Sequence, residues 1–215
     1  MKPAILLLLL ATVLPSIPAQ VLATVLPSAP AQAPDWKPVE KIDSYAISGQ
    51  TAPELYASIG EKGPLIGKDV VGNKVRVIAH TNFKLTWTRD YRPEGGACIL
   101  KSARPKLIIT YTLPKPAGPL PPALQKRWDV FAAGVAAHEK VHGKQIVDMV
   151  QKIEALSVGF TVASDPDCKK IRTELTNRLS ELSQAQRQAS RDFDRVEFSP
   201  GGNFQRLVLA FVNGD

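Results

Sequence analysis

Only three histidines occur in this chain, and two of them stand four apart in the string HEKVH, residues 138–142. On an α-helix that spacing puts both imidazoles on one face. Two imidazoles so placed can bind a single zinc ion at Zn–N distances of about 2.0–2.1 Å. Glu139 follows the first of them. In sites of this kind the carboxylate takes the proton of a zinc-activated water and later hands it on. Zinc lowers the pKa of that water from 15.7 toward ~7, which makes hydroxide available at neutral pH. From ordinary residue usage, a chance HExxH in a chain this long has odds on the order of one in a few hundred. The competing reading is a pair of polar side chains hydrogen-bonded inside a helical hairpin, and the Glu between the histidines weighs against it. His138 and His142 are therefore read as zinc ligands, and Glu139 as the catalytic base.

Such a site needs an uninterrupted helix. Residues 123–156 read as one: Trp128, Phe131, Val135, His142, Ile146, Met149, Ile153 and Leu156 recur at helical spacing. The small residues of GVAA precede the motif, leaving room for a neighbouring strand or a substrate. A loop over 157–166 leads to a second helix over 167–193, striped by Ile171, Leu175, Leu179, Leu182, Ala185 and Ala189. Long helices joined by a short connection form an antiparallel hairpin.

Upstream, Tyr45 to Leu113 is mostly strand-like, with a short helix near Thr51 and Pro53. Phe83, Leu85 and Trp87 alternate with polar residues, Pro93, Gly95 and Gly96 mark a turn, and Leu107, Ile109, Tyr111 and Leu113 alternate again. This predicts an antiparallel sheet of three to five strands. Five prolines over 114–122 predict a stiff connector, SPGGN a turn, and LVLAFV a last strand returning to the sheet. The fold class expected is α+β, an antiparallel sheet packed with a long helical hairpin that carries HExxH, with residues 35–215 forming one domain.

The N-terminus reads as a targeting segment. Lys2 precedes an apolar run from Ile5 that continues to Leu14, about 10 residues, which fits a signal peptide and is too short for a bilayer core of ~30 Å. Ala19 or Ala31 could precede the cut. ATVLPSIPAQ at 11–20 returns as ATVLPSAPAQ at 23–32, so residues 1–34 read as a signal peptide with a duplicated Pro/Ala-rich spacer. The expected location is secreted or periplasmic. In an exported chain the two cysteines, Cys98 and Cys168, read as a disulfide rather than two unrelated buried thiols. The net charge of +7 is spread along the chain. It would allow weak association with anionic envelope surfaces, and it also serves plain solubility. No nucleic-acid-binding module or alternation of basic and aromatic residues is present, which argues against nucleic acid as a partner.

From about Tyr45 to Phe204 the chain resembles the bacterial family of predicted secreted zinc-dependent proteases, domain of unknown function 922. The resemblance rests on YAISGQT, on TNFKLTWTRDY with Trp87 and Tyr91, on Cys98 after a glycine turn, and on Trp128, HEKVH and Cys168. It implies a zincin-like domain and an exported zinc-dependent metallopeptidase acting on peptide or protein substrates. Members commonly carry a segment resembling YDxxTxHG after the second helix, whose histidine is an attractive third ligand. Here that stretch is FDRVEFSP, with Asp194 matching the aspartate and Ser199 in the place of the histidine. A catalytic zinc takes three protein ligands plus water. Asp194 is the first candidate for the third, with Glu197 and Glu181 as alternatives, Glu181 because hairpin geometry is expected to set it opposite His142. His80 is the remaining histidine, without a spacing argument. Gln145, one turn after His142, could face the metal. Tyr45, Tyr91 and Tyr111 are chemically plausible oxyanion donors. Trp87 and Trp128 read as core anchors. The loss of the histidine at Ser199 motivates the alternative of a catalytically inactive envelope protein that keeps the fold and binds a partner or the cell wall.

Overall fold

β1 (Val39–Ile47) runs into a loop that ends on Thr51. Thr51 and Glu54 then cap each other. The Glu54 amide donates to Thr51 Oγ1 at 3.3 Å, and the Glu54 carboxylate accepts from the amides of Thr51 (3.2 Å) and Gln50 (2.7 Å). This reciprocal cap, with Pro53 in the first turn, starts α1 (Ala52–Lys62). A short hairpin of β2 (Leu65–Lys68) and β3 (Lys74–Arg76) leads to β4 (His80–Glu94) and β5 (Ala97–Pro116). Gly95 and Gly96, both left-handed at φ 58° and 80°, make the two-residue turn between β4 and β5. This computed structural model describes residues 35–68 and 70–214, so the targeting segment expected over 1–34 lies outside the described residues.

The sheet has the order β1-β5-β4, and β6 (Thr161–Val162) pairs with the first residues of β5. β4 and β6 run antiparallel to β5, but β1 runs parallel to it, with Val39 opposite Ile108 and Ile47 opposite Pro116. The all-antiparallel expectation is corrected to a mixed sheet. Side-chain alternation reports which face is buried and is silent on strand direction. β5 also runs through Pro114 and Pro116, residues expected in the connector. Beyond Thr112 it keeps only β1 as a neighbour, so prolines without an N–H are tolerated on its open side.

α2 (Pro122–Ser157) crosses this sheet, setting Ile146, Met149, Val150 and Ile153 against Leu107, Ile109 and Tyr111. Its first half packs against α1 and a helix at the end of the described chain, α4 (Asn203–Asn213). LVLAFV therefore lies in a helix, not a returning strand. Phe204, Leu207, Val208, Phe211 and Val212 share one helical face, and a short apolar run alone does not separate helix from strand. Phe211 stacks on Phe131 at 4.4 Å between ring centroids and meets Trp128 edge-on at 5.7 Å.

α3 (Lys170–Glu197) returns antiparallel beside α2. Its start is capped from a distance: the Asp165 carboxylate accepts from the amides of Lys169 (2.9 Å), Lys170 (3.0 Å) and Ile171 (2.9 Å). Cys98 and Cys168 form a disulfide with Cα atoms 5.2 Å apart, tying the start of β5 to the loop before α3. Closing a loop of 70 residues stabilises the fold by about 4 kcal/mol in the chain-entropy relation. Trp128 is a core residue, and Trp87 is a partly buried one between α3 and the sheet. Among the described residues no helix is long and apolar enough to cross a membrane.

Candidate metal centre

The hairpin register decides what meets the two histidines. Each step of four along α2 is answered by a step of four back along α3, so His138 faces Asp194 and His142 faces Ser190. His138 Nε2 lies 3.2 Å from Asp194 Oδ1 and 3.2 Å from His142 Nε2, and His142 Nε2 lies 3.0 Å from the same Asp194 oxygen. Three ligand-type atoms thus form a nearly equilateral triangle.

The outer nitrogens fix how the rings present themselves. The Ser190 hydroxyl donates to Gln145 Oε1 (2.8 Å) and accepts from Gln186 Nε2 (3.2 Å). With its one proton used, Ser190 Oγ must accept from His142 Nδ1, 3.1 Å away, which leaves the Nε2 lone pair of His142 facing the triangle. His138 Nδ1 is buried and has no hydrogen-bond partner, and Glu197 Oε2 at 3.8 Å faces it. The other Glu197 oxygen accepts from Asn203 Nδ2 at 2.9 Å. Around His138 the walls are aromatic: Phe193 stacks on it at 4.7 Å and Phe204 meets it edge-on at 4.6 Å.

Lone pairs this close repel unless a proton or a cation sits among them. Burial alone would lower the pKa of His142, but its hydrogen bond to Asp194 and the charges of Asp194 and Glu139 raise it. Burial alone would raise the pKa of Asp194, yet hydrogen bonds and charge from the two histidines pull it well below the usual carboxylate range. A tetrahedral zinc with bonds of about 2.0–2.1 Å sets its ligand atoms about 3.3 Å apart. The observed edges of 3.0–3.2 Å are close to that spacing, so the donor set fits zinc in size and in chemistry.

Glu139 projects from α2 toward the sheet instead of toward α3. Thr81 at the start of β4 donates its hydroxyl to Glu139 Oε2 at 2.5 Å. Glu139, His138, His142 and Asp194 all line one cleft of ≈ 300 Å³, whose far wall is formed by Ile66, Val77 and residues 80–83. Among the described residues β4 pairs with β5 alone, so its other edge has no strand partner along this wall.

The other candidate residues fall as follows. Glu197 stands behind His138, on the ring nitrogen that faces away from the triangle. Glu181 is not brought to the centre: it lines a separate, exposed depression with Arg187 and Arg191. Ser199 donates to the carbonyl of Val196 and does not line the cleft that holds the histidines. His80 lines the cleft but does not join the triangle. Gln145 reaches Ser190, and through it His142. Tyr45 donates to the Ile78 carbonyl, Tyr111 to Glu40, and the ring of Tyr91 lies under the Arg172 guanidinium, so none of the three lines the cleft. Thr81 and Ser190 were not singled out by their residue types. For Ser190 the hairpin register, once known, is the signal. For Thr81 it is the pairing of a strand start with the motif helix.

Fold and centre together define an α+β protein whose longest helix presents HExxH to an aspartate on an antiparallel partner helix. Residues 42–202, about three quarters of the chain and the whole of the centre, match the family described as "Bacterial protein of unknown function (DUF922)", and the chain belongs to that family. No curated protein and no solved structure matches the chain.

Proposed function

We propose that this protein is an exported zinc-dependent peptidase, in which His138, His142 and Asp194 hold the metal and Glu139 is the general base. The observation that carries this reading is the triangle of two Nε2 atoms and one carboxylate oxygen, with the proton on His142 assigned to the outer nitrogen by Ser190. Zinc bound there supplies Lewis acidity toward a water molecule and a substrate carbonyl. Glu139, which lies outside the triangle, keeps one oxygen on the Thr81 hydroxyl and faces the cleft. Its carboxylate takes the proton that water gives up as the oxygen bonds to the carbonyl carbon, and delivers it to the leaving amine nitrogen as the C–N bond breaks. The aromatic rings around His138 keep water from its ring faces. The disulfide and the leader-like residues at the N-terminus support an exported location.

The test is a comparison of native protein with Glu139→Gln on a broad peptide library. Glutamine keeps the size and can still accept from Thr81, but it cannot take up a proton. Hydrolysis should fall by about 10²-fold or more with zinc content and melting temperature nearly unchanged. Equal background cleavage by both proteins would instead support the inactive envelope protein that binds a partner or the cell wall.

A further inference from the structure

The cleft lacks the lysine and arginine side chains that are common in the rest of the molecule. The chain has 27 lysines and arginines and a net charge of +7, yet neither residue type lines this cleft. Its acidic groups are Glu139 and Asp194, and much of the remaining wall is apolar. Three large apolar side chains stand exposed on that wall: Ile66 at 51%, Phe83 at 37% and Phe198 at 49%. Single exposed apolar residues are ordinary on a protein surface. Three converging on one concavity that also holds convergent polar groups form the kind of lining that receives an apolar side chain. They come from three separate elements: the β2–β3 hairpin, β4, and the end of α3. No single helix or strand accounts for their convergence.

The backbone adds a second feature. β4 is an outer strand, and its first residues, His80 to Phe83, border the cleft with an edge that has no strand partner among the described residues; the Phe83 amide there donates to Asn82 Oδ1 at 2.7 Å, a side chain an incoming strand would displace. An extended chain laid there can take up those backbone groups as an additional strand, and its side chains then alternate toward and away from the cleft wall.

We propose that the substrate is an extended polypeptide laid along the His80–Phe83 edge of β4, and that the cleft selects a bulky apolar side chain next to the bond presented to Glu139 and rejects acidic ones. An acidic side chain set against Ile66, Phe83 and Phe198 would be desolvated with no lysine or arginine beside it. This selectivity rests on the peptidase reading of the same site.

The experiment measures binding, so that it does not depend on turnover. Fluorescent peptides of one sequence frame, differing at one central position as Phe, Leu, Ala, Lys or Asp, are titrated against Glu139→Gln protein in zinc-containing buffer. The Phe and Leu peptides should bind at least about tenfold more tightly than the Asp peptide. Ile66→Lys, at an exposed hairpin position, should leave the melting temperature unchanged, weaken the apolar peptides and strengthen the Asp peptide. Phe198→Ser should weaken the Phe and Leu peptides alone. A flat profile across the five peptides, an Asp peptide bound as tightly as the Phe peptide, no binding tighter than about 1 mM, or an Ile66→Lys profile identical to the parent overturns the proposal. Failure of the peptidase reading shows separately, as equal cleavage by native and Glu139→Gln proteins whatever the binding profile.

Discussion

Ser190 bonds His142 on the side that faces away from the triangle and so leaves the Nε2 lone pair toward the proposed metal, while Glu197, 3.8 Å from His138 Nδ1, makes no hydrogen bond to it. Partners such as Ser190 orient a ligating ring and raise its basicity, and their loss typically costs 10–100-fold in metal affinity. Ser190→Ala should weaken zinc binding by at least about tenfold in a competition titration with a fluorescent chelator. Glu181→Ala should leave it unchanged. An effect of Glu181→Ala equal to that of Ser190→Ala would mean that the hairpin register is wrong. His138, Glu139 and His142 are legible in the sequence because helical spacing alone puts both imidazoles on one face. Asp194 is legible only through its resemblance to a family motif. The misplacement of Glu181 has a plain cause: the loop and disulfide before α3 set the register, and the residue opposite His142 is Ser190, nine positions further on.

At the scale of elements, α2 lies against the sheet through a glycine. A Cβ on Gly143 would strike the Tyr111 hydroxyl, which donates to Glu40 Oε1 at 2.7 Å while Lys140 donates to Glu40 Oε2 at 2.6 Å. Glu40, Tyr111 and Lys140 thus join β1, β5 and α2 beside Gly143, the residue after His142. In an open helix Gly→Ala stabilises by about 1 kcal/mol. Here the overpacking costs about 1–3 kcal/mol and breaks the Tyr111–Glu40 hydrogen bond, so Gly143→Ala should lower stability in urea unfolding. A stabilised variant would show that the approach is looser than described.

α3 depends on Asp165 in the same way. Burial alone would raise the pKa of this carboxylate, but hydrogen bonds from the backbone amides of Ile171, Lys170 and Lys169 lower it below its ordinary value. A depressed folded-state pKa contributes stability that is present above the unfolded value and is lost as pH falls through the folded one. The melting temperature of native protein should therefore fall more steeply below about pH 4 than that of Asp165→Asn, whose side chain does not titrate. Parallel profiles for the two proteins would remove the cap from the account. The existence and approximate limits of α2 and α3 are legible from their apolar stripes. The direction of β1 and the helical state of the last segment are not. A parallel neighbour needs no turn signal in sequence, and six apolar residues fit either period.

At the scale of the whole molecule, three clusters of packed side chains hold the centre in place. One joins α1, α2 and α4 through Phe131, Phe204 and Phe211; one seats the second half of α2 on β5; and one surrounds the disulfide near the start of α3. The α+β class and the disulfide follow from composition, spacing and the count of two cysteines. The cleft does not, because it forms where the β2–β3 hairpin, β4 and the hairpin helices meet, and no local pattern encodes that meeting. The central claim is that this assembly presents two histidines and Asp194 to one zinc ion. The most direct measurement is elemental analysis of the protein purified without a polyhistidine tag and gently loaded with zinc, set beside Asp194→Ala treated in the same way. The account predicts one zinc per native molecule and a loss of affinity of at least about tenfold in the variant. Less than about a tenth of an equivalent in the native protein, or equal affinity in the two, would contradict it.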